Sequence, residues 1–194
     1  MKKVITRLAD RFVRKGIISE EDKVVYEFGI YQGMTLTINL LTILIVGYLF
    51  NEVFSLIAFS VFYLSIRSYA GGYHADTELR CYLVSTAMLL IVVYILKYVS
   101  ISPYALMITL CFSITSLVLL TPVENHSKPL DDLEKKVYRS RTLKIMILQL
   151  CVMVISYFIM MELFKVIVIS FGMIAVILHL GCIKNRVYFL IENY

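Results

Sequence analysis

Six apolar runs separated by short polar breaks organise this chain, at about residues 34–50, 53–70, 79–98, 103–120, 143–161 and 164–182. A spanning helix needs ~20 apolar residues to cross ~30 Å of hydrocarbon, and most of the runs meet that with little to spare. The pattern predicts an all-α fold: a polytopic bundle of about six transmembrane helices forming a single membrane domain, 1–194. The second run is the odd one. Between Glu52 and Arg67 every residue is uncharged, but that stretch makes only about 21 Å of helix. To cross, the helix must continue past Arg67 to about Ala70. Arg67 then lies at the membrane edge or slightly inside it, either turned to a water-filled cavity or snorkelling to the headgroups.

The first sixteen residues, MKKVITRLADRFVRKG, follow another pattern. Val4, Ile5, Leu8 and Phe12 share one helical face, and Lys2, Lys3, Arg7, Arg11, Arg14 and Lys15 populate the rest. Such a segment, 1–16, is expected as an amphipathic helix in the headgroup region, drawn to anionic lipid. The alternative is an ordinary surface helix packed on the bundle. It has neither the unbroken apolar core nor the small-residue cleavage site of a secretory signal.

Composition sharpens this picture. The chain is 60% hydrophobic and 17% charged, with a mean hydropathy of +0.82, which excludes an ordinary soluble domain. Charge then supplies orientation. Of the 19 Lys and Arg, all but Lys97 and Lys165 fall on the side of the N-terminal arm, the second-to-third and fourth-to-fifth connections, and the C-terminal tail. Positive segments stay cytoplasmic, so both termini and both of those connections are expected in the cytosol. The basic loop at 121–142 reads as topology and headgroup contact, or as a surface that holds an acidic partner. No nucleic-acid partner is expected.

Into the second-to-third connection the chain puts RSYAGGYHADTELRC, 67–81. A cysteine nucleophile needs a base nearby and a field that favours thiolate. His74 and Cys81 share a face of an unbroken helix but lie about 10.5 Å apart along it, too far for a hydrogen bond. The sequence supplies a break: Gly71-Gly72 ends one helix, and Asp76 or Thr77 caps the next. His74 is then free to fold back toward Cys81, in the first turns of a helix whose positive end favours thiolate. Any membrane helix with a Cys and a preceding His would look partly like this. Zinc is disfavoured, because the loop offers only His74, Cys81 and two acids that cap the helix, and a phosphate-binding role for the glycines is weaker still. Neither metal nor cofactor is expected. Cys111, Cys151 and Cys182 read as small hydrophobes. His126 is a poorer base than His74, His179 reads as a hydrogen-bonded interior group, and Gln149 as a link between helices.

The run Arg67, Gly72, His74, Ala75 and Cys81 resembles the signature of the accessory gene regulator protein B family. The downstream PVENHSKP, 122–129, is similar to that family's second motif. The resemblance covers length, basic N-terminus, spans and both motifs. It implies a multi-pass cell-membrane cysteine endopeptidase acting in quorum sensing, with its site on the cytoplasmic side. Cys81 is then the nucleophile and His74 its base, with Arg67, Gly71, Gly72 and Lys128 supporting the site or binding substrate. The implied substrate is the precursor of an autoinducing peptide. Its C-terminal tail is removed through a thioester on Cys81, and the remainder cyclises to a thiolactone or lactone. A homodimer in contact with membrane lipids is implied as well. The competing class is a non-enzymatic exporter or adaptor, since polar loops between spans also mark transport paths.

Overall fold

The structure is a computed structural model that describes residues 2–73, 75, 77–124 and 130–192. These form seven α-helices: α1 (Lys2–Arg14), α2 (Lys23–Phe50), α3 (Val53–Ala70), α4 (Glu78–Tyr98), α5 (Pro103–Leu120), α6 (Asp132–Ile159) and α7 (Met161–Glu192). No strand occurs among the described residues. Six helices, α2 to α7, are long and apolar enough to cross a membrane, which makes this a multi-pass membrane protein. The chain falls into two compact units, 1–45 and 46–194.

In the first unit, α1 is closed by Gly16 at φ 68°. Gly16 N donates to Val13 O and Ile17 N to Phe12 O, the paired bonds that end a helix on a left-handed residue. Of the expected apolar face, Ile5 is buried together with Ala9, while Val4 and Leu8 are exposed. Asp10 forms an ion pair with Lys23 at 2.6 Å. Helix α2 starts at Lys23 rather than at 34, since the intervening residues contain no proline and nothing else that interrupts a helix.

The second unit is built around α7. From Val166 to Leu178 this helix lacks a polar face, and 61% of its apolar window is buried, against 39% or less for every other span. A helix apolar all round belongs in the centre, and α7 packs against α3, α5 and α6. Phe59, Leu56 and Ile66 of α3 and Leu117 of α5 are fully buried beside Phe171, Ile174 and Leu178 of α7. Polar groups tie the remaining pairs. Gln149 on α6 donates to Phe62 O at 3.0 Å and Ser65 Oγ at 2.7 Å on α3, the helix link expected of it. Lys97 on α4 donates to Phe50 O, capping α2. His179 Nδ1–H donates to Ala175 O at 2.8 Å, and its ring stacks on Phe112, an interior role.

Two connections differ from the sequence expectation. Helix α6 begins at Asp132, so the segment 121–142 is a loop only as far as Asp131. A reciprocal cap starts it: Asp131 Oδ1 accepts from Leu133 N and Glu134 N, and the Glu134 carboxylate accepts from Asp131 N. Such a cap satisfies amides that a helix start otherwise leaves open, and helix formers such as Leu133, Glu134, Lys135 and Lys136 carry the turn onward. The basic residues thus acquire partners inside the fold: Arg139 donates to Val118 O near the end of α5, and Arg141 lies over Tyr69. The second difference is the break between the runs 143–161 and 164–182. The chain instead turns at Met160, and Glu162 and Lys165 pair along the first turn of α7.

Candidate active site

Helix α3 ends at Ala70, the length that crossing required. Gly71 (φ 74°) and Gly72 (φ 114°) follow in backbone conformations that disfavour side chains. The space around them is closed too. A Cβ on Gly71 would stand 2.0 Å from Val123 O, and one on Gly72 would stand 3.0 Å from the Ile177 carbonyl oxygen. The glycine pair is therefore a docking point for two other segments. Val123 N donates to Ala70 O and Gly72 N to Val123 O, so the residues after α5 form a single parallel bridge with the turn. Tyr73 N donates to Ile177 O of α7. Gly181 permits that approach, because its Cβ would lie 2.6 Å from the carbonyl carbon of Gly72.

Arg67, one turn before the end of α3, reaches over the break. Its guanidinium donates to Gly71 O and, at 2.6 Å, to Tyr73 O. A planar fork with several donors suits two carbonyls in fixed relation. The side chain neither snorkels away nor stands idle. The Tyr73 ring lies 5.2 Å from Lys184 Nζ of α7, a second anchor for the same strand of loop. His74 follows immediately and, like Lys128, lies outside the described residues.

Helix α4 opens with Thr77 as N-cap. Its hydroxyl oxygen accepts from Arg80 N at 3.3 Å, and Cys81 N donates to Thr77 O at 2.9 Å. Cys81 consequently stands at the end of the first turn. Its side chain is exposed and opens onto a cleft of about 540 Å³, whose wall also includes Arg67, Gly71, Tyr63, Tyr73, Tyr138 and Glu124. The structure thus brings Arg67, Gly71 and Cys81 to one cavity, with Gly72 buried behind it.

Glu124 closes the far wall. Its carboxylate pairs with Lys135 at 2.8 Å and accepts from Leu130 N, while its carbonyl accepts from Asn185 of α7. The bond from Lys135 holds the Glu124 carboxyl below the ordinary carboxylate range. Glu124 thus ties Leu130 and the start of α6 to α7.

Sequence reasoning had passed over Tyr63, Tyr73, Tyr138, Glu124, Gly181 and Asn185. Tyr63 was recoverable, since it lies four residues before Arg67 and so on the same helix face. An isolated glycine in an apolar helix, as at Gly181, signals close backbone approach. Nothing local marks Asn185, which holds Glu124 O, or Tyr138, which reaches the cleft; both arrive only through folding.

Comparison with known proteins gives one match: a family model described as accessory gene regulator B covers residues 5–182. No curated protein and no solved structure matches the chain. The matched range includes the α3 break, the cleft and the segment that bridges to it, and the chain therefore belongs to the accessory gene regulator B family, which takes part in processing autoinducing peptides in quorum sensing.

Proposed function

We propose that this protein is a membrane cysteine endopeptidase that matures a short precursor peptide through a thioester on Cys81. The observation that carries the reading is the position of Cys81: on the first turn of α4, exposed, and opening onto the cleft that Arg67 and the glycine turn also line. A free thiol is only a few per cent ionised at neutral pH. His74, one residue beyond the carbonyl that Arg67 holds, takes the Cys81 proton.

The thiolate then attacks the scissile carbonyl. The tetrahedral adduct expels the amine of the tail, which receives the proton from His74, and the remaining peptide is left as a Cys81 thioester. A Cys or Ser side chain within that peptide attacks the thioester, releases the Cys81 thiol and closes a thiolactone or lactone ring. Water competes for the thioester. The apolar walls formed by Leu64, Val84, Met88 and Ile177 reduce its access. Gly71 and Gly72 permit the turn, and Lys128 supports the precursor.

The basic segments place both termini and the cleft on the cytosolic side, with α1 in the headgroup region as the approach for an amphipathic precursor. The protein works as a homodimer in this reading. Co-expression with short candidate precursors tests the reading: a mass adduct on Cys81 and a truncated cyclic product are expected, and Cys81→Ala abolishes both while membrane insertion persists. Cleavage that survives Cys81→Ala removes the enzyme reading and leaves an adaptor or exporter in its place.

A further inference from the structure

A thiolate attack on a carbonyl creates an oxyanion, and the rate depends on donors aimed at it. Backbone amides around a nucleophile often serve. Here several described amides around the cleft are committed: Cys81 N and Arg80 N to Thr77, Gly72 N to Val123 O, and Tyr73 N to Ile177 O. A side chain can supply the donor instead, and one stands in the cleft wall.

Tyr63 is buried to 7% exposure, with its ring stacked on Phe59 at 5.4 Å and one side on the cleft. Tyr63 lies four residues before Arg67, on the same face of α3, and both side chains line the cleft with Cys81. A guanidinium only donates, so a phenol beside it accepts and keeps its own O–H for another partner. A cation behind a phenol strengthens that O–H as a donor. We propose that Tyr63 is the oxyanion donor of the site: its O–H, backed by Arg67, donates to the scissile carbonyl oxygen as the Cys81 sulfur adds to the carbonyl carbon. This rests on the cysteine endopeptidase reading. In the step, the sulfur–carbon bond forms and the carbonyl π pair moves onto oxygen. The Tyr63 proton stays on its own oxygen throughout, and on collapse the pair returns as the tail amine leaves.

Tyr63→Phe removes only the hydroxyl and keeps the stack on Phe59. With a precursor that the wild-type protein cleaves on co-expression, kcat falls about 10²-fold, the scale for one oxyanion donor, and KM changes little. Alkylation of Cys81 by iodoacetamide, which builds no oxyanion, keeps its wild-type rate. A peptide aldehyde built on the residues before the cleavage point adds the thiol across its carbonyl, and it protects Cys81 in Tyr63→Phe about 10²-fold less well. The ratio of the two reagents is read within the folded population, so partial misfolding does not blur it. Near-wild-type cleavage in Tyr63→Phe overturns the proposal. So does an equal loss of alkylation and aldehyde binding, which makes Tyr63 a mere support for Arg67. Activity remaining in Cys81→Ala sinks the underlying endopeptidase reading instead, so the two failures are distinct.

Discussion

Arg67 donates to the carbonyl of Tyr73 across the end of its own helix, 2.6 Å away, and to Gly71 with its other terminal nitrogen. An arginine at a membrane edge is ordinarily explained by solvation. In this protein it fixes the path of the chain between the end of α3 and His74. A lysine has one nitrogen and no fork. Arg67→Lys is therefore expected to lower the cleavage rate about 10²-fold, the scale for a catalytic group displaced by roughly 1 Å. Because lysine keeps the positive charge, the pH–rate profile should hold its inflection while the plateau drops; an inflection that moved instead would count against a positioning role.

The glycine turn makes a contrast testable by thermal unfolding in detergent. Gly71→Ala and Gly181→Ala each place a methyl within 2.0 Å or 2.6 Å of backbone, so the bridge to Val123 or the contact with α7 must open. A loss of about 1–3 kcal/mol is expected for such overpacking, with loss of activity. Gly29→Ala and Gly33→Ala meet nothing within 4 Å and should be neutral or slightly stabilising, because alanine is the better helix former by about 1 kcal/mol.

Glu124 supplies a pH dependence with a definite sign. Lys135 favours its ionised form, so the folded-state pKa lies below the ordinary carboxylate value. The folded protein then binds fewer protons than the unfolded chain in the window between those two values. The ion pair's contribution is complete above the ordinary value and is lost as pH falls through the folded one. Melting temperatures measured from about pH 6 to about pH 3 should decline more steeply in the wild type than in Glu124→Gln. Parallel curves would show that the pair adds no such stability.

Gln149 offers a milder test of helix association. Its amide nitrogen holds Phe62 O and Ser65 Oγ, but its own carbonyl oxygen is buried with no hydrogen-bond partner among the described residues. Gln149→Leu removes the favourable bonds and the orphan acceptor together. The expected cost is under about 1 kcal/mol, near the average for side-chain hydrogen bonds between membrane helices. Gln149→Ala also leaves a cavity against α3 and should cost more, as read by the same unfolding measurement.

The spacing of apolar runs determined the helical class, the spans and the reach of α3 to Ala70, because hydrocarbon thickness and helical rise leave one answer for a run of that length. The order of Gly71-Gly72, Thr77 and Cys81 likewise determined a helix end, a cap and a cysteine on the first turn, all local consequences of backbone stereochemistry. Charge patterning was read as a basic loop through 142, yet local capping at Asp131 turned half of it into helix. Tertiary structure alone decided that the segment after α5 would bridge to the glycine turn, that α7 would hold Tyr73, and that Tyr63, Tyr138 and Glu124 would wall the same cleft as Cys81. Those contacts join residues far apart in the chain through close backbone approach, and single-residue preferences carry no record of which distant surface will arrive.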